Sequence, residues 1–457
     1  MRSLLKNPGM QADSELPVSA SKALLDTRFL SVLVWALFAV HALVLLALVL
    51  NTKPWLTGDS ERYLALADAL SREHVYGLGS GAAFEPEGLR LPGYPLFIMA
   101  CQALFHDSDA SVILVQCLLF LISVWLVWRV ALETLGQRAG LAFLVLSAVY
   151  PFVAFSACQI SPEMPTVFLL ALAFFLLLRR TRTGFAGVGA SLAAAVYFRP
   201  NLLLLSPALA LACVLAGRRL WRKALLMLVV SGLLVLPWAI HNKTTFGVFT
   251  PTSVVRGSGI SLFMATWQSR VSVRSLIEYG MAGNAPQELE SSGMMEQVRA
   301  VNQQVGVPAD TVFVNMEVYP DNEKRMKAER LFTQTALANI RDWPGTYLLS
   351  SMKNMLRIWF SAYLPESLPA PVRLGLVLLG LLVLLLGICG VVLALRHEQG
   401  PSRLIVFAAV GALLYFTFTL CWLHTEARYT IPIRLILLVF AAYALRRLPV
   451  RRSLAGI

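Results

Sequence analysis

Charged residues are scarce in this chain. Asp, Glu, Lys and Arg make up 14% of its 457 residues against 57% hydrophobic ones, which excludes a single soluble globular body and leaves a polytopic membrane protein. Paired cysteines are absent too. Cys101, Cys117, Cys158, Cys213, Cys389 and Cys421 are scattered, none in a CxxC pair and most within apolar runs, so they read as packing residues, not as a metal site or disulfide framework. No repeat of fixed period is evident, which argues against a solenoid. No small-residue cleavage site follows the first long apolar run, only Asn51-Thr52-Lys53-Pro54, so residues 31–50 read as an uncleaved anchor.

What the chain does contain is apolar runs of spanning length. They lie near 29–50, 110–132, 140–157, 163–178, 184–198, 201–216, 224–240, 373–395, 404–423 and 429–445, about ten in all. Alternating them across a bilayer puts Arg138, Arg179 to Arg182, Arg218 to Lys223, Arg396 with Arg403, and Arg446-Arg447 with Arg451-Arg452 on one side, the cytoplasm. The net charge of +13 is thereby explained as an orientation signal, with no nucleic acid partner needed.

Two further apolar stretches do not fit as spans. Tyr94 to Phe105 is too short, and Tyr347 to Tyr363 contains Lys353 and Arg357, so both read as interfacial or re-entrant helices of the outer leaflet. The chain then divides into a cytoplasmic tail (1–28), a transmembrane module (29–240) with a first external loop (51–109), an external cap with its interfacial helix (241–371), and C-terminal transmembrane hairpins with a basic tail (372–457). Within the cap, residues 321–340 carry helical charge patterning, with Glu323 and Lys327 four apart.

Ionisable groups are nearly absent from span interiors, His41 and Arg434 being the main exceptions. The rest sit at span ends on the predicted outer face: Asp59, Glu61 and Arg62 with Tyr63, then Glu163, Arg199, His241, and the string His424, Glu426, Arg428, Tyr429. From Asp59 the loop reads as a short amphipathic helix, with Tyr63, Leu64, Ala67 and Leu70 turned to the membrane surface. Each of these polar groups taken singly has a bland reading as a solvated loop residue. Arg199 weighs more, because the spans flanking Phe198-Arg199-Pro200-Asn201 are short and nearly continuous, which holds its guanidinium inside the outer leaflet, where it needs an anionic partner. A lipid phosphate is the natural one. Cations at headgroup depth beside a carboxylate are the equipment for displacing a lipid-linked phosphate from a sugar carbon, the carboxylate taking the acceptor's proton and the arginines stabilising the departing phosphate.

The order of short motifs resembles a known family. Gly58-Asp59-Ser60-Glu61-Arg62-Tyr63, Leu91-Pro92-Gly93-Tyr94-Pro95, Ser161-Pro162-Glu163, Phe198-Arg199-Pro200, Leu236 to Asn242 and Glu426 to Pro432 are similar to those of the bacterial protein-mannosyltransferase-like glycosyltransferases, GT-C enzymes akin to the aminoarabinose transferase of lipid A. The resemblance implies an all-α polytopic membrane protein, a GT-C-like bundle of about ten to twelve transmembrane helices with a first external loop of juxtamembrane helices and a larger external cap. It implies transfer of a sugar from a polyprenyl-phosphate donor to a cell-envelope lipid, glycan or protein on the periplasmic face of the bacterial inner membrane. Asp59 would be the base and Glu163 the second acidic residue, with Arg62, Arg199, His241 and Arg428 on the donor phosphate. Glu61, Tyr63, Tyr94, His424, Glu426 and Tyr429 would support them. Two departures stand out: Ser60 follows Asp59 where many relatives have Glu, which leaves a divalent cation open, and His241 stands where relatives have Arg.

A lipid or solute transporter is the rival from another class. It calls for polar groups near mid-membrane and symmetry between halves, neither of which is clear here. A non-catalytic scaffold would tolerate changes at the outer-face residues.

Overall fold

In lipid a backbone must satisfy its own hydrogen bonds, so apolar runs become helices. All ten do so in the computed structural model, which describes residues 19–51, 56–79, 81–105, 108–255, 257–267, 293–309, 316–360, 369–424 and 426–447. The membrane-type helices are α1 (Ser19–Asn51), α4 (Asp109–Leu135), the pair α5 (Gln137–Val149) and α6 (Pro151–Ala157), α7 (Glu163–Leu178), α8 (Arg182–Phe198), α9 (Leu205–Ala216) and α10 (Trp221–Phe246). Between α1 and α4 lie α2 (Ser60–Arg72), a two-residue ribbon of β1 (Gly77–Leu78) against β2 (Glu85–Pro86), and α3 (Gly93–Phe105). After α10 come α11 (Ser258–Trp267), α12 (Met294–Val305), α13 (Asn322–Asp342) and α14 (Pro344–Phe360). Three long helices close the chain: α15 (Ala370–His397), α16 (Pro401–Leu420) and α17 (Ile431–Arg447). The tail expected over residues 1–18 and the basic residues 451–452 lie outside the described residues, while residues 19–28 continue α1.

Six described helical segments are long and apolar enough to cross a membrane: Ser31–Asn51, Asp109–Leu135, Arg218–Phe246, Pro371–His397, Ser402–Leu420 and Ala427–Arg447. The bent pair of α5 and α6 makes a seventh if it counts as one span. Its 61° bend falls at Tyr150, which is extended because Pro151 follows it. The helices α7, α8 and α9 have 16, 17 and 12 residues. At about 1.5 Å per residue these fall short of a hydrocarbon core of about 30 Å, so helix length does not establish the ten to twelve crossings expected from the sequence.

The helix α17 is the hub. Every residue from Ile431 to Ala444 is buried, and it packs on α15, α5 and α7. Arg434, one of two ionisable groups expected inside spans, is spent there: it donates to Tyr150 Oη (3.0 Å), Thr430 Oγ1 (3.0 Å) and the carbonyls of Ile358 and Ala427 (both 3.2 Å). The other, His41, pairs through Nε2 with Ser147 Oγ (2.9 Å). By contrast α1 exposes Val32, Trp35, Leu43 and Leu46, and α15 exposes Leu374, Leu378, Leu382 and Leu385, as lipid-facing helices do. The close contact of α15 with α17 depends on Gly390, where a Cβ would run into the Phe440 carbonyl oxygen. Gly390→Ala is therefore expected to cost about 1–3 kcal/mol, read as a lower unfolding temperature in detergent.

The arginine-rich connections gather at one end of the bundle. Arg446 donates to the Leu135 carbonyl, Lys223 Nζ to that of Arg180, Ser402 Oγ to that of Thr134 (2.9 Å), and Tyr443 Oη to Glu398 (2.6 Å). An apolar groove of about 600 Å³ between α1 and α4 opens near the same end, lined by Trp35, Phe38, Leu121, Trp125, Trp128 and others. At the opposite end, α11, α12 and α13 share a small core of their own around Phe263, Trp267, Val298 and Phe332. The expected helix over 321–340 is α13, its Asp321 N-cap accepting from Lys324 N at 2.7 Å.

Candidate active site

Four helix ends meet at the pole away from the arginine-rich connections. The chain leaves α1, and Asp59 precedes α2; Glu163 opens α7; Arg199 closes α8; Arg428 lies in the 3-10 turn before α17. Local sequence explains two of these placements. Pro200 bars Arg199 from helical backbone, so α8 ends there with Arg199 extended (φ −141°, ψ 105°). Ser60, next to Asp59, is fully buried; its Oγ accepts from Thr57 N (2.7 Å) and donates to the Ile160 carbonyl (2.8 Å), which ties the start of α2 to the approach to α7.

The side chains form one network. Asp59 Oδ1 accepts from Arg90 Nη2 at 2.8 Å and Oδ2 from Arg428 Nη1 at 3.1 Å. Arg90 Nη2 also reaches Glu317 Oε1 at 2.6 Å, and its guanidinium lies 5.3 Å from the Tyr63 ring. Arg199 pairs with Glu163 Oε1, which lies 4.0 Å from Arg428 Nε. Arg428 Nε in turn sits 2.7 Å from Glu426 Oε2. Tyr429 lies beside both cations, its ring 5.1 Å from the Arg199 guanidinium and 5.8 Å from that of Arg428. Glu163 is 2% exposed, and its Oε2 and Arg199 Nε have no hydrogen-bond partner among the described residues. Buried polar atoms without a partner are costly, so this pair is held in place by the elements that carry it.

Burial pushes the Asp59 carboxyl up, but Arg90 and Arg428 outweigh it and hold the group well below the usual carboxylate range. Burial likewise works against the Arg90 charge, and Tyr63, Asp59 and Glu317 more than restore it. Asp59 is therefore an anion clamped by two cations.

Other expected site residues fall elsewhere. Arg62 grips Glu87 through Nη2 (2.6 Å) and Nε (3.0 Å), and Glu87 also accepts from the backbone N–H of Leu89 (2.6 Å) and Arg90 (2.8 Å). Its guanidinium braces the loop that presents Arg90 and is not placed on the cluster. Glu61 is exposed on the opposite side of α2, as a position two residues from Asp59 must be in a helix. The apolar side of α2 faces protein, not the membrane surface: Tyr63 and Ala67 pack with Tyr94 and Ile98 of α3. Tyr94 donates to Gln116 Oε1 (2.9 Å) and meets the Tyr63 ring edge-on at 5.0 Å, a packing role. His241 stacks on Trp238 (4.6 Å between centroids), which in turn meets Tyr76, whose Oη bonds the Arg90 carbonyl (3.0 Å), so His241 stands behind the site. His424 is held neutral, pushed down to about 3 by burial and by the Arg357 charge, and its backbone N–H donates to the Ser261 carbonyl (2.8 Å). A divalent cation finds no set of three acidic, His or Cys ligands among the described residues, and both Asp59 oxygens already carry guanidinium hydrogens.

Sequence reading missed Arg90 and Glu317. Arg90 directly precedes the Leu91-Pro92-Gly93-Tyr94-Pro95 motif, a signal that was available; Glu317 stands in a stretch without one.

Residues 86–241, which include Arg90, Glu163 and Arg199, match the family model described as dolichyl-phosphate-mannose-protein mannosyltransferase. Over that segment the chain is similar to the protein-mannosyltransferase-like GT-C family. Its fold is similar to that of the archaeal oligosaccharyltransferase AglB from Archaeoglobus fulgidus, solved with an inhibitory peptide and a dolichol-phosphate, at TM-score 0.50 and 13% identity over 90% of this chain and 50% of AglB. The apo form of that enzyme aligns at TM-score 0.51 with 13% identity over the same shares. This chain thus spans half the length of AglB. ArnT from Cupriavidus metallidurans bound to undecaprenyl phosphate aligns at TM-score 0.41 and 15% identity, over 88% of this chain and 77% of ArnT. No curated protein matches the chain in sequence. Asp59, Glu317 and Arg428 lie outside the matched segment, yet the fold brings all three to residues inside it, and Glu426 joins them through Arg428.

Proposed function

We propose that this chain moves a sugar from a polyprenyl-phosphate-linked donor to a cell-envelope acceptor on the periplasmic face of a bacterial inner membrane. The observation that carries the reading is the convergence of Arg90, Arg199 and Arg428 on Asp59 and Glu163 at the pole opposite the arginine-rich connections. The positive-inside rule puts those connections in the cytoplasm and hence the cluster outside. Ten crossings, with α7 to α9 as short paired spans, give this orientation.

In the reaction the acceptor hydroxyl gives its proton to Asp59, its oxygen bonds the anomeric carbon, and the bond from that carbon to the phosphate oxygen breaks with its electron pair leaving on polyprenyl phosphate. Arg90, Arg199 and Arg428 receive the growing phosphate charge. Glu163 fixes Arg199, and its unpartnered Oε2 is available to a sugar hydroxyl. Acceptor recognition falls to the unit of α11 to α13, whose Glu317 reaches the cluster.

The test is reconstitution in proteoliposomes with a radiolabelled polyprenyl-phosphate sugar and an envelope extract as acceptor. Label is expected to leave the lipid and appear on an acceptor. If label instead crosses the bilayer with the sugar-phosphate bond intact, the protein is a transporter and the transferase reading is wrong.

A further inference from the structure

Asp59 stands at the N-cap of α2, yet its side chain caps nothing. The backbone around it is fixed by Ser60 and Thr57 instead. What holds the carboxylate is Arg90 on one oxygen and Arg428 on the other. Each guanidinium also has a second carboxylate, Glu317 for Arg90 at 2.6 Å and Glu426 for Arg428 at 2.7 Å. Either cation can release Asp59 and stay where it is.

The charge balance says which bond must give. Arg90, Arg199 and Arg428 are each already bonded to carboxylates of Asp59, Glu163, Glu317 or Glu426, and Arg357 also faces Glu426, so the ionised cluster carries no surplus of positive charge. A phosphate entering it adds negative charge and must take guanidinium hydrogens from a carboxylate already using them. Asp59 is the carboxylate shared by two arginines, so displacing it yields two charge-assisted donors at once, one from each guanidinium. A carboxylate with a guanidinium on each oxygen is, moreover, a poor proton acceptor.

We infer that Asp59 holds the place of the donor phosphate on Arg90 and Arg428, and that donor binding is an exchange in which the phosphate takes both guanidiniums and frees Asp59 to accept the acceptor's proton. This rests on the function proposed above. The freed carboxylate takes the hydroxyl proton as the acceptor oxygen bonds the sugar carbon and polyprenyl phosphate departs with the electron pair. Donor therefore binds before the acceptor is activated, and Asp59 opposes donor binding even as it serves the chemistry.

The test measures polyprenyl phosphate binding to the full-length protein in lipid nanodiscs, with polyprenol as the control lacking phosphate. Asp59→Asn is expected to bind polyprenyl phosphate about tenfold more tightly than wild type, because the competing charge is gone. Arg428→Gln should cost more affinity in the Asp59→Asn background than in wild type, since its guanidinium no longer holds a charged carboxylate at position 59. Unchanged or weaker binding by Asp59→Asn, with the fold intact, overturns the exchange. Should that variant not fold, the wild-type protein labelled with 13C-aspartate gives a second measure: polyprenyl phosphate, but not polyprenol, should shift a carboxylate stretching band, and no shift overturns the exchange. Equal binding of polyprenyl phosphate and polyprenol by the wild type would instead remove the donor reading beneath it.

Discussion

Asp59→Asn should lower sugar transfer by about 10²–10⁴-fold, the range general-base catalysis contributes, while the variant still folds and holds donor. The amide keeps the shape and can still meet one guanidinium through its oxygen, but it cannot take a proton. The loss should therefore appear in kcat and not as a higher KM for donor. Asp59→Glu keeps a base whose carboxylate is displaced by one methylene, so it should retain more turnover than the amide. The pH profile gives a second check. Because Arg90 and Arg428 hold the Asp59 carboxyl well below the usual range, the base is ionised throughout the neutral region, and kcat/KM should stay flat as pH falls to about 4, the ordinary carboxylate value. If the phosphate takes those arginines over, the acid limb of kcat should lie at higher pH than that of kcat/KM, since kcat reports the donor-bound state. Retained turnover by Asp59→Asn would remove Asp59 as the base.

Much of this cluster could be read from the chain because membrane topology is a strong filter. Alternating apolar runs puts Asp59, Glu163, Arg199 and Arg428 at one face, and no tertiary knowledge is needed to see that they are the ionisable groups left at span ends there. The Phe198-Arg199-Pro200 break was legible for the same local reason that makes it work: the proline stops α8 and leaves its last side chain at the pole. Helical period could also have separated Glu61 from Asp59, two positions apart on α2. Pairing was not legible. Arg62 stands three residues from Asp59 and lies on Glu87 instead, a choice made by a loop that folds back through the β1 and β2 ribbon. Arg90 and Glu317 are 227 residues apart in sequence, and nothing local in either says they meet. Helix length adds nothing to the span count at α7, α8 and α9, which have 16, 17 and 12 residues, so their crossings rest on the alternation of the arginine-rich connections alone.

Arg199→Ala should destabilise the protein by about 3–5 kcal/mol, the loss seen when one partner of a buried ion pair is removed. Glu163 is 2% exposed and opens α7, so without the guanidinium its charge has neither water nor a direct cation, Arg428 Nε standing off at 4.0 Å. Thermal unfolding in detergent should show the loss, and donor binding should weaken in the fraction that folds. A pure packing role for Arg199 predicts something different: the cost would follow the lost volume and would not depend on the charge of Glu163. The double variant Arg199→Ala with Glu163→Gln separates the two, because removing the stranded charge should recover much of the stability if the ion pair is the cause and none of it if the cavity is. Donor binding should not recover with it, since a phosphate still finds one cation fewer. Arg199→Lys is expected to keep the fold and lose part of the donor affinity. An ammonium can neutralise Glu163, but it lacks the planar fork that can face Glu163 with one edge, a phosphate with the other and the Tyr429 ring with its plane. Recovery of both stability and donor binding in the double variant would show that Arg199 serves Glu163 alone and has no part in holding the phosphate.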